Sequence, residues 1–303
     1  MTSITFKQVA NEWLSIKKNE LRQISYEKYQ QVYKAHLVFF NEKKISDIKI
    51  NDIERFISKK ENNEKLSESV LYAIQFELKS ILDYSRNQYK INTVEIKNRT
   101  KKKEVSNIPI LNESQKKKLL EYAFNNLNSI AISIILSMCM GLKTGEICAL
   151  TKKDLDFKKN IISIKNNVER VKTSNNNKTN LIVFEINNSF TKRKIPIEKN
   201  VLNYICRYIK FYKIKTNNYL VSQNDTIPDP RKIQKELNQL CNSLSLACDF
   251  NTLRNTFIHT CLKNNMNIKF LCTVLGSQNL KRIYELCPEI NENLSNIEIE
   301  KGI

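Results

Sequence analysis

The chain has 303 residues and a mass of 35.6 kDa, with 50 Lys and Arg against 31 Asp and Glu, a formal charge of +19. Hydrophobic residues make up 41% of it, which excludes wholesale disorder, and 4 Gly with 5 Pro are too few for a turn-dense sandwich, propeller or Rossmann architecture. Part of the basicity follows from a Lys-, Asn- and Ile-rich composition of the kind AT-rich coding sequence gives, but +19 exceeds what solubility requires and points to a polyanion partner.

The length suggests two domains, and the elements fall into two groups. In residues 1–90, TFKQVANEWLSIKK carries Phe6, Val9, Trp13 and Ile16 at helical spacing. SYEKYQQVYKAHLVFF starts from a Ser25 cap and sets Tyr29, Val32, Tyr33 and His36 along one face. In NDIERFISKK, Asn51 and Glu54 form an expected capping pair, and SESVLYAIQFELKSILDYS has apolar positions at 70, 71, 74, 78, 81 and 82. Four short helices are predicted. Residues 91–110 then lose periodicity. The basic run NRTKKKEVSNIPI reads as an interdomain linker, with Lys101, Lys102 and Lys103 either a solvated tether or a contact to a phosphate backbone.

The pattern restarts at 111, where Asn112 and Gln115 form another capping pair and SIAISIILSMCM is apolar almost throughout, hence central to a core. After Asp154, three strand-like runs follow: NIISIKN, LIVFEIN and KRKIPI. Helices are expected at about 198–213, 231–246, 252–264, 267–275 and 279–286, and an acidic tail, 288–303, closes the chain. The predicted class is mainly α with one small antiparallel sheet: a helical domain over 1–90, a basic linker over 91–110, and an α+β domain over 111–287.

The eight cysteines (139, 148, 206, 241, 248, 261, 272 and 287) contain no CxxC and show no metal-ligand spacing, and there are only two histidines, His36 and His259. No metal or other cofactor is expected. No apolar stretch approaches about 18 residues and the first residues lack a signal-peptide core, so a cytoplasmic protein without a membrane partner is expected.

Three of the four glycines fall in GLKTGEICAL (141–150) and VLGSQNL (274–280), and Arg254 of TLRNTF lies 22 residues before Gly276. With the order of elements, these strings resemble the tyrosine recombinase (phage integrase) family over nearly the whole chain. The first domain is similar to that family's core-binding domain, and LNESQKKKLLEYA resembles the opening of its catalytic domain. The resemblance implies a tyrosine that attacks a DNA phosphodiester and becomes joined to the 3′ phosphate. It also implies two arginines on the non-bridging oxygens, a lysine that protonates the leaving oxygen, and two His or Trp positions. Such chemistry needs charge neutralisation and in-line placement of the nucleophile.

Carried onto this chain, the family's set is thinned. Lys143 occupies the first arginine's slot and keeps the charge without the planar fork. The hairpin lysine's slot holds Ser189. Lys192 and Lys194 lie nearby and share one strand face, so Lys192 could stand in if the turn is rearranged. Arg254 is intact, Asn251 replaces a histidine, and Ser277 replaces His or Trp. The nucleophile's slot falls on Leu286, and Tyr284, two residues earlier, is the candidate. Glu146 is expected to brace a basic neighbour. Lys101, Lys102, Lys103, Arg193 and Lys194 are the candidate DNA contacts.

Residues 1–110 carry 21 Lys and Arg against 14 Asp and Glu, or +7 of the +19, leaving +12 for the rest. Charge on both parts suits a clamp around duplex DNA better than one basic tail. The resemblance implies double-stranded DNA at a specific site as partner, with self-association on DNA through the C-terminal tail. Three functions follow from it: strand transfer for a mobile element, relaxase-like nicking of one strand for conjugation, or a catalytically inactive architectural DNA-binding protein that keeps the clamp.

Overall fold

The computed structural model describes residues 4–97, 108–172, 179–278, 283, 285 and 286. Its contacts divide the chain into two compact units, residues 1–106 with 171–178, and residues 107–170 with 179–303.

The first unit contains helices α1 (Phe6–Glu20), α2 (Gln23–Ala35), α3 (Ile50–Asn62) and α4 (Glu68–Tyr89), with two 3-10 turns between α2 and α3. Thr5 and Gln8 close α1 reciprocally, at 3.4 Å and 2.9 Å, an arrangement worth about 1 kcal/mol. The buried stripe of α1 runs through Phe6, Val9, Ala10, Trp13 and Leu14. Ile16, expected on that stripe, falls past its edge and is 38% exposed. Helix α2 starts after Arg22 rather than at Ser25 and ends before His36, which is its C-cap. The cap of α3 also differs from expectation: Asp52, not Glu54, reaches back, its carboxylate accepting from Lys49 N at 3.1 Å.

Helix α4 buries Leu71, Ile74, Leu78, Ile81 and Leu82, and with them Glu77, which is 0% exposed. Beyond α4, residues 91–97 are not a free tether. Lys79 Nζ donates to Ile96 O and Gln75 Nε2 to Lys97 O, both at 3.1 Å, while Arg86 Nε donates to Thr93 Oγ1 at 3.3 Å. Burial of Ile96 and Thr93 explains why this stretch, lacking any helical or strand period, still belongs to the first unit. Lys101, Lys102 and Lys103 lie outside the described residues.

The elements after residue 107 are α5 (Glu113–Asn125), α6 (Ser129–Met138), α7 (Thr144–Ala149), β1 (Leu155–Asp156), β2 (Ile161–Ile164), β3 (Asn166–Lys172), β4 (Thr179–Glu185), β5 (Arg193–Pro196), α8 (Lys199–Phe211), α9 (Pro230–Ser243), α10 (Phe250–Lys263) and α11 (Ile268–Leu275), all in the second unit but for the last two residues of β3. Asn112 and Gln115 cap α5 with bonds of 2.9 Å and 3.0 Å. Helix α6 is buried on every side, packed among α5, α7, α9 and α10. An apolar helix has no other stable place.

Two sheets replace the single one expected. β1, β2 and β5 form an antiparallel sheet with Ile162 opposite Ile195 and Ile164 opposite Arg193, whereas β3 and β4 pair only with each other. The LIVFEIN run therefore joins its neighbour in sequence, as adjacent strands usually do. Most of the helix expected at 279–286, and the tail 288–303, lie outside the described residues. Cys148, Cys241, Cys261 and Cys272 are buried, and Cys206 is exposed. Among the described residues no helix is long and apolar enough to cross a membrane.

Candidate functional site

The site begins at the turn between α6 and α7. Gly141 adopts φ +67°, and a Cβ there would lie 2.6 Å from the Phe257 ring, so both conformation and space call for glycine. Gly141 N and Leu142 N bond back to Ser137 O and Leu136 O at 2.9 Å and 3.2 Å, closing α6. The turn delivers Lys143 to the N-cap of α7, where its backbone N–H donates to Glu146 Oε2 at 3.0 Å.

Arg254 approaches from α10, a helix capped by Asp249 through Thr252 N at 2.7 Å. One arm of its guanidinium donates to Gly141 O, and the other to Leu275 O at 3.0 Å. Leu275 ends α11, which Gly276 terminates in the left-handed region at φ +58°. Half-buried Ser277 follows, its N–H bonded to Cys272 O at 3.2 Å. Asn251 is exposed on the first turn of α10, three residues before Arg254. The structure thus brings Lys143, Arg254 and Ser277 together around one turn and one helix end, with Arg254 bonded to a carbonyl in each.

Arg193 on β5 is not the DNA contact expected of it. Its side chain is 2% exposed and forms a bidentate ion pair with Glu146, at 2.8 Å and 2.9 Å. Its Nε donates to Val274 O at 2.5 Å, and a further bond runs to Thr191 O at 3.1 Å. Strand alternation carries the signal for this position. Lys192 and Lys194 point outward together, which turns Arg193 inward with Ile195, and an inward arginine needs a carboxylate. Glu146 is that partner. Lys192 is exposed and paired with Glu185 at 2.7 Å, and Lys194 is exposed. Tyr284 lies outside the described residues.

Electrostatics follow from this packing. Lys143 is exposed as a residue. Partial desolvation, followed by the Arg254 and Arg193 charges, nevertheless holds its pKa below the ordinary lysine value, against the opposing pull of Glu146. Burial would raise the pKa of Glu146, but hydrogen bonds and charge from Arg193, with the Lys143 N–H, outweigh it and keep the carboxyl below its usual range. The outcome is a fixed cluster of three cations and one carboxylate. Of the three cations, Lys143 is exposed, Arg254 is half-buried and Arg193 is buried.

A cluster of cations at a helix end thus lies on an α+β domain that follows a four-helix unit. The sequence matches the Phage integrase family over residues 109–285 and the Phage integrase, N-terminal SAM-like domain over residues 5–60. The chain belongs to the phage integrase family of tyrosine recombinases. No curated protein matches it.

Solved structures share the fold. The Tn1549 transposon integrase, as a tyrosine-to-phenylalanine variant in complex with transposon right end DNA, superposes with a TM-score of 0.77 at 18% identity, covering 99% of both chains. An arginine-to-lysine variant of that integrase, on circular intermediate DNA, gives 0.72 at 17%, over 97% of this chain and 100% of the other. A lambda integrase tetramer bound to a Holliday junction gives 0.66 at 12%, over 94% and 78%.

Proposed function

We propose that this protein cleaves and rejoins DNA at a specific site through a 3′-phosphotyrosine, in the service of a mobile element. The observation that carries this is the convergence of Lys143 and Arg254: Arg254 is bonded to the carbonyl of Gly141, two residues before Lys143, and its charge acts on the Lys143 ammonium. A guanidinium fixed by backbone carbonyls, with an exposed ammonium beside it, suits the non-bridging oxygens of one phosphate.

In this reaction the Tyr284 hydroxyl attacks phosphorus, the phosphotyrosyl bond forms, and the bond to the 5′ oxygen breaks. The tyrosine gives up a proton and the leaving oxygen takes one. Asn251 and Ser277 hydrogen-bond the phosphate and transfer no proton. Lys143 can do more than the arginine it replaces, because an ammonium with a lowered pKa can release a proton and a guanidinium cannot. Lys192 is the other candidate donor, once freed from Glu185. Lys101, Lys102, Lys103 and Lys194 are read as phosphate-backbone contacts on the duplex, and residues 288–303 as the segment through which copies associate on it.

The eroded proton-transfer set favours a second function, a DNA clamp without chemistry: the hairpin lysine's slot is Ser189, and both histidine slots hold residues that cannot carry a proton. One experiment separates the two. A nicked suicide duplex bearing the candidate site is incubated with wild type and with Tyr284→Phe, and a denaturing gel is scored for covalent adduct. Cleavage requires an adduct that the variant loses. A sequence-specific mobility shift with no adduct in either protein establishes the clamp.

A further inference from the structure

The hydrogen bonds around Arg193 close a circuit. Glu146 accepts from Arg193 on both oxygens, and its Oε2 also accepts from Lys143 N. On the far side, Arg193 takes Val274 O and Arg254 takes Leu275 O, so two guanidinium groups from different elements hold consecutive carbonyls at the end of α11. Arg254 then returns to Gly141 O, in the turn that began the circuit. Every link lies within the second unit. The turn that carries Lys143 and the helix end that precedes Ser277 are joined through Arg193 and Glu146.

From these links we propose that Arg193 is a positioning residue for the phosphate pocket: acting through Glu146 and Val274 O, it fixes the Lys143 turn against the α11 end that carries Ser277. This inference deepens the strand-cleavage function and rests on it for its kinetic consequence.

Three features support the assignment. The guanidinium is 2% exposed and its N–H groups point to three protein partners, which leaves no face for DNA. The fork geometry is needed, because a lysine ammonium cannot span both Glu146 oxygens and Val274 O at once. Gly276 makes room for the fork: a Cβ there would lie 2.9 Å from one terminal nitrogen and 3.1 Å from Cδ of Arg193. The glycine that ends α11 therefore also seats the arginine.

The test uses Arg193→Lys, which keeps the charge and loses the fork, with Glu146→Gln as the second variant should Arg193→Lys fold poorly. Single-turnover adduct formation on the suicide duplex is expected to slow on the order of 10²-fold, the effect of a roughly 1 Å misplacement. The DNA dissociation constant stays within about twofold of wild type, since phosphate contacts set it. In the double variant with Lys143→Ala, the Arg193→Lys effect is expected to shrink, because the part that acts through the Lys143 turn is already lost. Hydrogen exchange of the full chain supplies a readout independent of chemistry: peptides covering 141–146 and 274–277 should exchange faster together, while α8 is unchanged. Wild-type cleavage rates in Arg193→Lys overturn the proposal, as does weakened DNA binding or an effect that adds to that of Lys143→Ala. Should wild type form no adduct, strand cleavage is not the function. The exchange data then decide alone, and unchanged protection at either segment overturns the proposal.

Discussion

The two units each bury a glutamate on a helix, and the two carboxylates are opposites. Glu146 sits at 2% exposure with a bidentate arginine and a backbone N–H, and its pKa lies below the usual range. Glu77 sits at 0% exposure with no hydrogen-bond partner on either oxygen, and burial pushes its pKa up to about 9. Burial is common to both, so partners decide the charge. The second unit maintains an ionised carboxylate between an arginine fork and a turn. The first carries a carboxyl that is neutral at physiological pH.

Unpairing Glu146 has the largest expected effect. Arg193→Ala leaves its carboxylate buried without its bidentate partner and should cost about 3–5 kcal/mol in urea unfolding. The Glu146→Met/Arg193→Met pair should cost much less, because no orphaned charge remains. Glu77 gives an effect of opposite sign. Its folded pKa is raised, so the native state binds the extra proton between pH 4.5 and about 9, and stability falls as pH rises through that window. At pH 7 the penalty is on the order of 3 kcal/mol at 1.36 kcal/mol per pKa unit. Glu77→Leu should recover much of that and flatten the pH dependence of the melting temperature.

A smaller effect is expected at Gly276→Ala, which combines a left-handed backbone with an encroachment on Arg193. A loss of about 1–3 kcal/mol in thermal unfolding is expected, with slower adduct formation. The smallest is Lys192→Ala. Its ion pair with Glu185 is exposed, so the melting temperature should not move, and any change in cleavage rate then reports a chemical role.

Much of this architecture was legible in the residues. The Asn112–Gln115 cap, the all-apolar α6 and the two glycine turns flanking Arg254 follow from local patterns, because capping, period and positive φ are properties of a few adjacent residues. Alternation along β5 likewise sets Lys192 and Lys194 apart from Arg193. Composition obscured that signal, since an arginine between two lysines reads as a basic patch. What Arg193 meets was not legible: Glu146 and Val274 lie 47 and 81 residues away in sequence, and only the packed fold joins them. Glu77 was missed for a different reason. It lies between Ile74 and Ile81 on the buried face of α4, but polarity argued for the outside, and no local rule says when a helix will bury an unpaired carboxyl. The docking of residues 91–97 was hidden because extended segments with one buried side chain carry no period.

The pair of guanidinium groups on Val274 O and Leu275 O also has a mechanical meaning. Tension on the chain beyond Ser277 reaches two charge-assisted bonds side by side, anchored to different elements, β5 and α10. A load shared in parallel does not peel one bond after the other. The end of α11 thus acts as a bollard, moored at two neighbouring carbonyls to β5 and to α10 at once.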